Sequence, residues 1–375
     1  MMHSTNSMRR ALTFSFFLLV TTAILLLATA VVVSGLVLAF DIAGVFWPLG
    51  LWVGAIFLTL SFIAATVLGN SYYNFFTRGY YLVSALWAGS LLYFFIAAVV
   101  YGALVAVSQS LVALGPILFL AAAAANLYGI VHARTIVVTK VEVALPNLPP
   151  EWHGKTAVWI SDLHLGQVHG PHFAQRIVTR VEALAPSIIV IGGDLFDGTG
   201  APDLPELTAP LCKLSAPLGV YFITGNHEEY GHRERFLAAV KAAGMRALID
   251  ELLVIDGLQL IGVDYKNASD PARFKTILDG LSINPTMPSV LLKHEPNHLD
   301  IAAAAGVSLQ ISGHTHNAQQ WPLGYIAGSI YKGFAYGLKR LGSMQVYTSS
   351  GVGTWGPPMR VGTHGEIVLF TFEVK

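Results

Sequence analysis

Between Arg10 and Arg134 the chain carries only two charged side chains, Asp41 and Arg78. No core helix of a water-soluble protein has so long an apolar run, and only a bilayer lets a chain keep apolar groups all round its helices. The stretch is long enough for several spans of about 20 residues each. Turn-forming and polar residues divide it into four, at residues 12–36, 43–68, 80–105 and 110–131. Trp47, Trp52, Tyr72, Tyr73, Tyr80 and Tyr81 fall near the expected ends, where amphipathic rings favour the headgroup region. The whole chain is 54% hydrophobic and 12% charged, which agrees with a large embedded part.

Four spans put Arg9, Arg10, Arg78, Arg134 and Lys140 on one side, while the opposite loops offer Asp41 and the uncharged Ser108-Gln109-Ser110. The side rich in Lys and Arg is the cytoplasmic one. The segment after the fourth span is therefore expected in the cytoplasm, on the inner membrane. Arg9-Arg10 and the later Ala28-Thr29-Ala30 have the outline of a cleaved leader, but the apolar run continues past them to Phe40 and three more spans follow, so the first span is read as retained. Domain 1–133 is thus a four-helix membrane unit. Residues 134–153 read as a short linker with a strand in its first half, ended by Pro146, Pro149 and Pro150.

Residues 154–375 have another character. Five apolar runs of strand length, at 157–160, 188–191, 220–223, 290–292 and 307–311, are each followed by a short loop of polar residues. The loops read Asp162-Leu163-His164, Gly192-Gly193-Asp194-Leu195-Phe196-Asp197, Gly225-Asn226-His227-Glu228, Lys293-His294-Glu295 and Gly313-His314-Thr315-His316. Helix-like segments at 171–184, 233–243, 271–281 and 297–305 alternate with the strands, which gives an α/β layer with its chemistry at the strand ends. The carboxylates, amide and imidazoles of these loops form a nitrogen and oxygen donor set that suits Mn, Fe or Zn better than Ca or Mg. The lone Cys212 leaves no thiolate cluster for a structural zinc.

In this order and spacing the five loops resemble the signature of the calcineurin-like metallophosphoesterase superfamily, D-x-H, G-D-x-x-D, G-N-H-[DE], H and G-H-x-H. The resemblance implies a four-layer αββα sandwich after the multi-span helical domain. It implies one metal held by Asp162, His164, Asp194 and His316, and a second held by Asp194, Asn226, His294 and His314, with Asp194 bridging. It leaves His227 without a metal and gives it the role of proton donor to the leaving oxygen. The segment from Ser350 to Arg360 is similar to that of a membrane-anchored bacterial branch described as phosphodiesterases, some relatives of which act on lipid precursors.

The expected activity is hydrolysis of phosphodiester or pyrophosphate bonds at the membrane surface, on a lipid-linked or nucleotide-containing ester. Phosphomonoester or protein phosphatase activity uses the same metals, and a non-catalytic scaffold or sensor is the reading from another class. Arg360, for a second phosphate, and His169, just past the first ligands, are the expected substrate contacts. The bilayer and a phosphate ester are the expected partners. Nothing in the sequence points to nucleic acid.

Overall fold

The computed structural model describes residues 2–42, 46–69, 71–198, 203–230 and 233–374, with side chains described from Leu18 onward in the first helix. The side chains of Arg9 and Arg10 and the expected start of the second span at 43–45 lie outside the described residues. The contacts divide the chain into two compact units, Met1–Val131 with Gly356–Met359, and His132–Trp355 with Arg360–Lys375.

The first unit is built from α1 (Met2–Ala39), α2 (Phe46–Gly69), α3 (Phe75–Val107) and α4 (Gly115–His132), the last preceded by a 3-10 turn over Gln109–Leu114. Four segments, Leu18–Ala39, Phe46–Gly69, Phe75–Val107 and Gln109–His132, are long and apolar enough to cross a membrane. The third begins five residues before the expected 80, and Arg78 lies within its first turn. The cause is local. Asn74 accepts from the backbone N–H groups of Phe76 and Thr77 at 3.0 Å each, and Thr77 Oγ1 accepts from Asn74 N at 3.1 Å, which closes a reciprocal cap. Buried polar side chains join the helices. Thr29 and Thr59 share a hydrogen bond of 2.7 Å, the Trp87 indole donates to Thr59 at 3.0 Å, and Ser61 meets Ser84 at 3.0 Å. A Cβ on Gly35 would come within 2.9 Å of the Ala98 methyl, so the absence of one lets α1 and α3 approach.

Twelve strands among the described residues, numbered in chain order, form two six-stranded sheets in the second unit. The first sheet holds β1 (Ile136–Ala144), β12 (Gly365–Glu373), β2 (Thr156–Ile160), β3 (Ile188–Ile191), β4 (Val220–Phe222) and β5 (Arg246–Ala247), side by side in that order. The second holds β10 (Gly337–Leu341), β11 (Met344–Thr348), β9 (Leu309–Ser312), β8 (Ser289–Leu292), β7 (Leu258–Gly262) and β6 (Glu251–Ile255). β2, β3 and β4 run parallel, as do β7, β8 and β9. Their carboxyl ends are where the five polar loops begin.

These central strands are mostly apolar because both faces are buried, with Gln259 and Gln310 as buried polar residues within β7 and β9. Trp159, Val190 and Tyr221 face inward and pack with Val290, Leu309, Ile311 and Tyr347 of the other sheet. Their neighbours Val158, Ile160, Ile189 and Phe222 face outward against Ile177 and Val181 of the Pro171–Glu182 helix and Phe236 and Val240 of the Arg233–Ala242 helix. Ile261, Leu291 and Val346 do the same against Phe274 and Leu278 of the Pro271–Gly280 helix and Ala302 of the Leu299–Ala304 helix. The result is helix, sheet, sheet, helix. Truncating a fully buried aromatic such as Trp159 at the centre of such a stack typically costs about 3–5 kcal/mol.

The segment expected to hold a linker strand is an integral part of the first sheet. β1 lies parallel to β12 from Ile136 beside Gly365 to Ala144 beside Glu373. Glu366 of β12 is fully buried and accepts from Thr139 Oγ1 at 2.6 Å, Ser350 N at 2.8 Å and the Tyr347 hydroxyl at 3.3 Å. That one carboxylate ties β1, β11 and the loop after β11 together. Only residues 133–135 separate the end of α4 from the start of β1.

Candidate metal centre

Asp162 and His164 follow β2, Asp194 follows β3, Asn226 and His227 open the short Asn226–Tyr230 helix after β4, His294 follows β8, and His314 and His316 follow β9. Five of these, Asp162, His164, Asp194, His314 and His316, have φ between 49° and 70°. Asp and His tolerate this left-handed region better than most residues, yet each instance costs about 1–3 kcal/mol. The surrounding loops hold them there. Gly193, at φ 88°, leaves no room for a Cβ, which would lie 2.7 Å from both Gly225 N and His294 Nδ1. Gly225 in turn packs directly on the Asp194 carboxylate.

The side chains converge. Three overlapping groups, Asp162 with His164 and His316, His164 with Asp194 and His227, and Asp194 with His294 and His314, each bring their ligand atoms within 4.8 Å of one another. Asp194 Oδ2 lies 3.1 Å from His294 Nε2 and 3.9 Å from His164 Nε2. His164 Nε2 and His316 Nε2 are 3.0 Å apart, and His316 Nε2 is 3.6 Å from Asp162 Oδ1. On the far side, His314 Nδ1 lies 2.8 Å from the Asn226 side-chain oxygen. Donors on one ion with bonds of about 2.0–2.1 Å lie roughly 3 Å from each other, so these spacings are those of a coordination shell. His294 Nε2 is buried without a hydrogen bond, while its Nδ1 bonds to the Gly192 carbonyl at 2.7 Å and sets the ring. The residues present fit divalent metal ions.

Electrostatics agree. Burial would lower the pKa of His294, but the carboxylates of Asp194 and Asp162 outweigh it and push it up to about 10. Its proton occupies the place of a cation. Burial, assisted by Asp194, raises Asp162 to about 6. Asp194 itself is held well below the usual carboxylate range, because His294 and His227 outweigh burial. His164 and His316 fall well below the ordinary imidazole value, chiefly through burial, and His314 falls to about 4 for the same reason. These three are held neutral, the form in which an imidazole can bind a cation. His227 is raised, since Asp194 and Asp197 outweigh burial, and its Nδ1 bonds to the Asp197 carbonyl at 2.7 Å.

Four residues without an assigned role in the sequence hold or wall this arrangement. The buried Glu228 carboxylate accepts from the N–H groups of Gly225 at 2.7 Å, Asp194 at 2.9 Å, Leu195 at 3.0 Å and Phe196 at 3.3 Å, and so ties the loop after β3 to that after β4. The G-N-H-[DE] block marks its place three residues after Gly225, at the start of a helical turn, without indicating its partners. The rings of Tyr265, Tyr331 and Trp355 stand 6.0 to 6.4 Å from His294, His314 and His227, and supply flat walls. No motif announces them.

Arg360, expected to meet a second phosphate, is fully buried, and its two terminal nitrogens donate to the carbonyls of Gly353 at 2.6 Å, Ser350 at 2.7 Å, His364 at 3.1 Å, Gly351 at 3.3 Å and His316 at 3.4 Å. These bonds clamp the 350–353 loop to the backbone of His316. His169, the other expected substrate contact, stacks on Phe173 with centroids 4.1 Å apart, and its Nε2 accepts from Thr354 N at 3.0 Å.

The sequence profile of the calcineurin-like phosphoesterase family matches residues 156–318, which contain all five loops. An uncharacterized metallophosphoesterase of Campylobacter jejuni is 30% identical over 246 residues, 64% of this chain and 64% of that protein. A transmembrane protein with metallophosphoesterase domain of Bos taurus is 33% identical over 261 residues, 64% of this chain and 58% of that protein. An uncharacterized metallophosphoesterase of Aquifex aeolicus is 33% identical over 223 residues, 57% of this chain and 84% of that protein. The chain thus spans somewhat less than two thirds of the first two relatives.

Because Asp162 and His294 both hold protons at low pH in the metal-free site, a divalent ion must displace them. Affinity is expected to fall as pH falls, with about one proton released per chain above about pH 7 and about two below pH 6. Calorimetric titration in buffers of different ionisation enthalpy measures this directly, and an affinity independent of pH would refute it.

Proposed function

The chain belongs to the calcineurin-like metallophosphoesterase family, and from that premise we propose that it is a membrane-held hydrolase of phosphodiester or pyrophosphate bonds that works with two divalent ions. The carrying observation is that Asp194 Oδ2 lies between the two clusters, 3.9 Å from His164 Nε2 of one and 3.1 Å from His294 Nε2 of the other. One ion would be held by Asp162, His164, Asp194 and His316, the other by Asp194, Asn226, His294 and His314. Nitrogen and oxygen donors without thiolate favour Mn, Fe or Zn. Bound there, the ions supply an acidified water and positive charge for the phosphoryl oxygens.

The chain's own groups do the rest. Asp194, ionised and able to present one oxygen to each ion, offsets part of their repulsion. His227, whose proton affinity Asp194 and Asp197 raise above that of an ordinary imidazole, would give a proton to the leaving oxygen. Its Nδ1 bond to the Asp197 carbonyl fixes the ring and leaves Nε2 for that transfer. His227 also stands in a donor group with His164 and Asp194, so a ligand role is the competing assignment. The aromatic walls suit an ester with an organic group on the leaving side, which favours a diester or pyrophosphate.

The bilayer decides where the ester is met. Four candidate spans, joined to β1 by three residues of chain, support the reading that the α/β unit works at the membrane surface. The excess of Arg and Lys on one side of the spans supports a cytoplasmic side for it, on the inner membrane. A lipid-linked or nucleotide-containing ester is then the substrate class.

Asp194→Asn is expected to lose bound metal and activity together. His227→Ala should keep its metal and lose about 10²–10⁴-fold in turnover of bis-nitrophenyl phosphate. Metal analysis of the two purified variants separates the roles, and equal metal loss in both would make His227 a ligand. A reporter active only outside the cytoplasm should be silent when fused after Lys375 and active when inserted beside Asp41. The opposite pattern would reverse the orientation.

A further inference from the structure

The Leu323–Ile330 helix has no buried residue, although its sequence is Leu-Gly-Tyr-Ile-Ala-Gly-Ser-Ile. Tyr325 is 76% exposed, Ile326 58% and Ile330 66%, with Trp321 one turn earlier at 54%. The spacing 325, 326 and 330 places these three on one side of the helix, and the exposed Trp321 lies just before its start. Exposed Lys332, Lys339 and Arg340 follow it. A soluble surface seldom carries an apolar stripe of this kind beside a row of basic groups.

Both ends of the helix are built into the wall of the metal centre. Its start follows His316 by seven residues, and Gln319 between them exchanges hydrogen bonds with the Trp355 backbone at 2.7 and 3.0 Å. At its other end the Tyr331 hydroxyl donates to Glu295 at 3.3 Å, and its ring stands 6.3 Å from that of His314. Whatever receives the stripe is therefore brought to the mouth of the site.

We infer that this helix is an interfacial element, and that Trp321, Tyr325, Ile326 and Ile330 enter the headgroup layer of an anionic bilayer while Lys332, Lys339 and Arg340 meet its phosphates. Two observations select a lipid surface as the occupant. The same chain carries four helices that can cross a bilayer and leaves three residues between the last of them and β1, so a bilayer is always within reach. The mixture of Trp, Tyr and Ile with Lys and Arg beside it matches the charge and polarity of a headgroup boundary. The surface would deliver a lipid ester from the plane of the membrane to the ions. In that consequence alone the inference rests on the phosphoesterase reading.

The test uses the full chain in lipid nanodiscs. An environment-sensitive fluorophore is attached at Ile326→Cys in a Cys212→Ser background, and for comparison at Arg273→Cys on the exposed face of the Pro271–Gly280 helix. Quenching by lipids brominated near the headgroup should be severalfold stronger at position 326 than at 273. It should weaken when Lys332, Lys339 and Arg340 are replaced by Glu. Equal quenching at the two positions overturns the inference. So does a dry but unquenched label whose signal depends on two copies per disc, which would make the stripe a self-association face. As a second variant, Ile326→Asp with Ile330→Asp should leave hydrolysis of a small soluble diester unchanged and lower that of a diester embedded in vesicles. Were the parent protein to leave every diester intact, the hydrolase reading would fail while the quenching contrast still decided the membrane contact.

Discussion

Asp162 and Asp194 sit in the interior of the α/β unit among five imidazoles, and burying two carboxylates there is costly unless positive charge comes with them. Much of the surrounding structure answers that requirement. In the metal-free site the proton on His294 meets it in part. The left-handed backbone at five ligand positions, the glycines that let loops touch, and the Glu228 and Arg360 clamps all hold the donors where only a cation satisfies them fully. Strain accepted at the strand ends is balanced by a core that is apolar on both faces of both sheets.

Sequence order made the donor set legible because each donor lies two to five residues past an apolar run, and a parallel sheet brings such positions side by side. The eight central residues, from Asp162 to His316, stand together as that logic requires. The clamps were not legible. Arg360 looks like a phosphate ligand in a glycine-rich loop, yet its partners are main-chain carbonyls from segments that only the fold brings near. Glu228 is likewise defined by N–H groups of two loops. Side chains that serve the backbone leave little pattern in a sequence, whereas donors that converge on one ion leave a strong one.

The membrane unit shows the same division. Four spans follow from the absence of charge, but the start of α3 at Phe75 depends on the Asn74 and Thr77 cap, which hydropathy does not register. β1, expected in a linker, is bound into the first sheet, pairing with β12 along its length and bonding Glu366 through Thr139, so only three residues of chain lie between the fourth apolar helix and the α/β unit. The four-layer order was legible only through family resemblance, because strand periodicity says that both faces are buried without saying by what.

The account depends most on a bridged pair of ions. Electron paramagnetic resonance of the full-length protein loaded with Mn²⁺ tests this most directly. A carboxylate shared through Asp194 predicts two ions per chain with the broadened, exchange-coupled spectrum of a close pair, and Asp194→Asn should abolish that coupling. One ion per chain with the hyperfine pattern of an isolated Mn²⁺, at saturating metal, would contradict it.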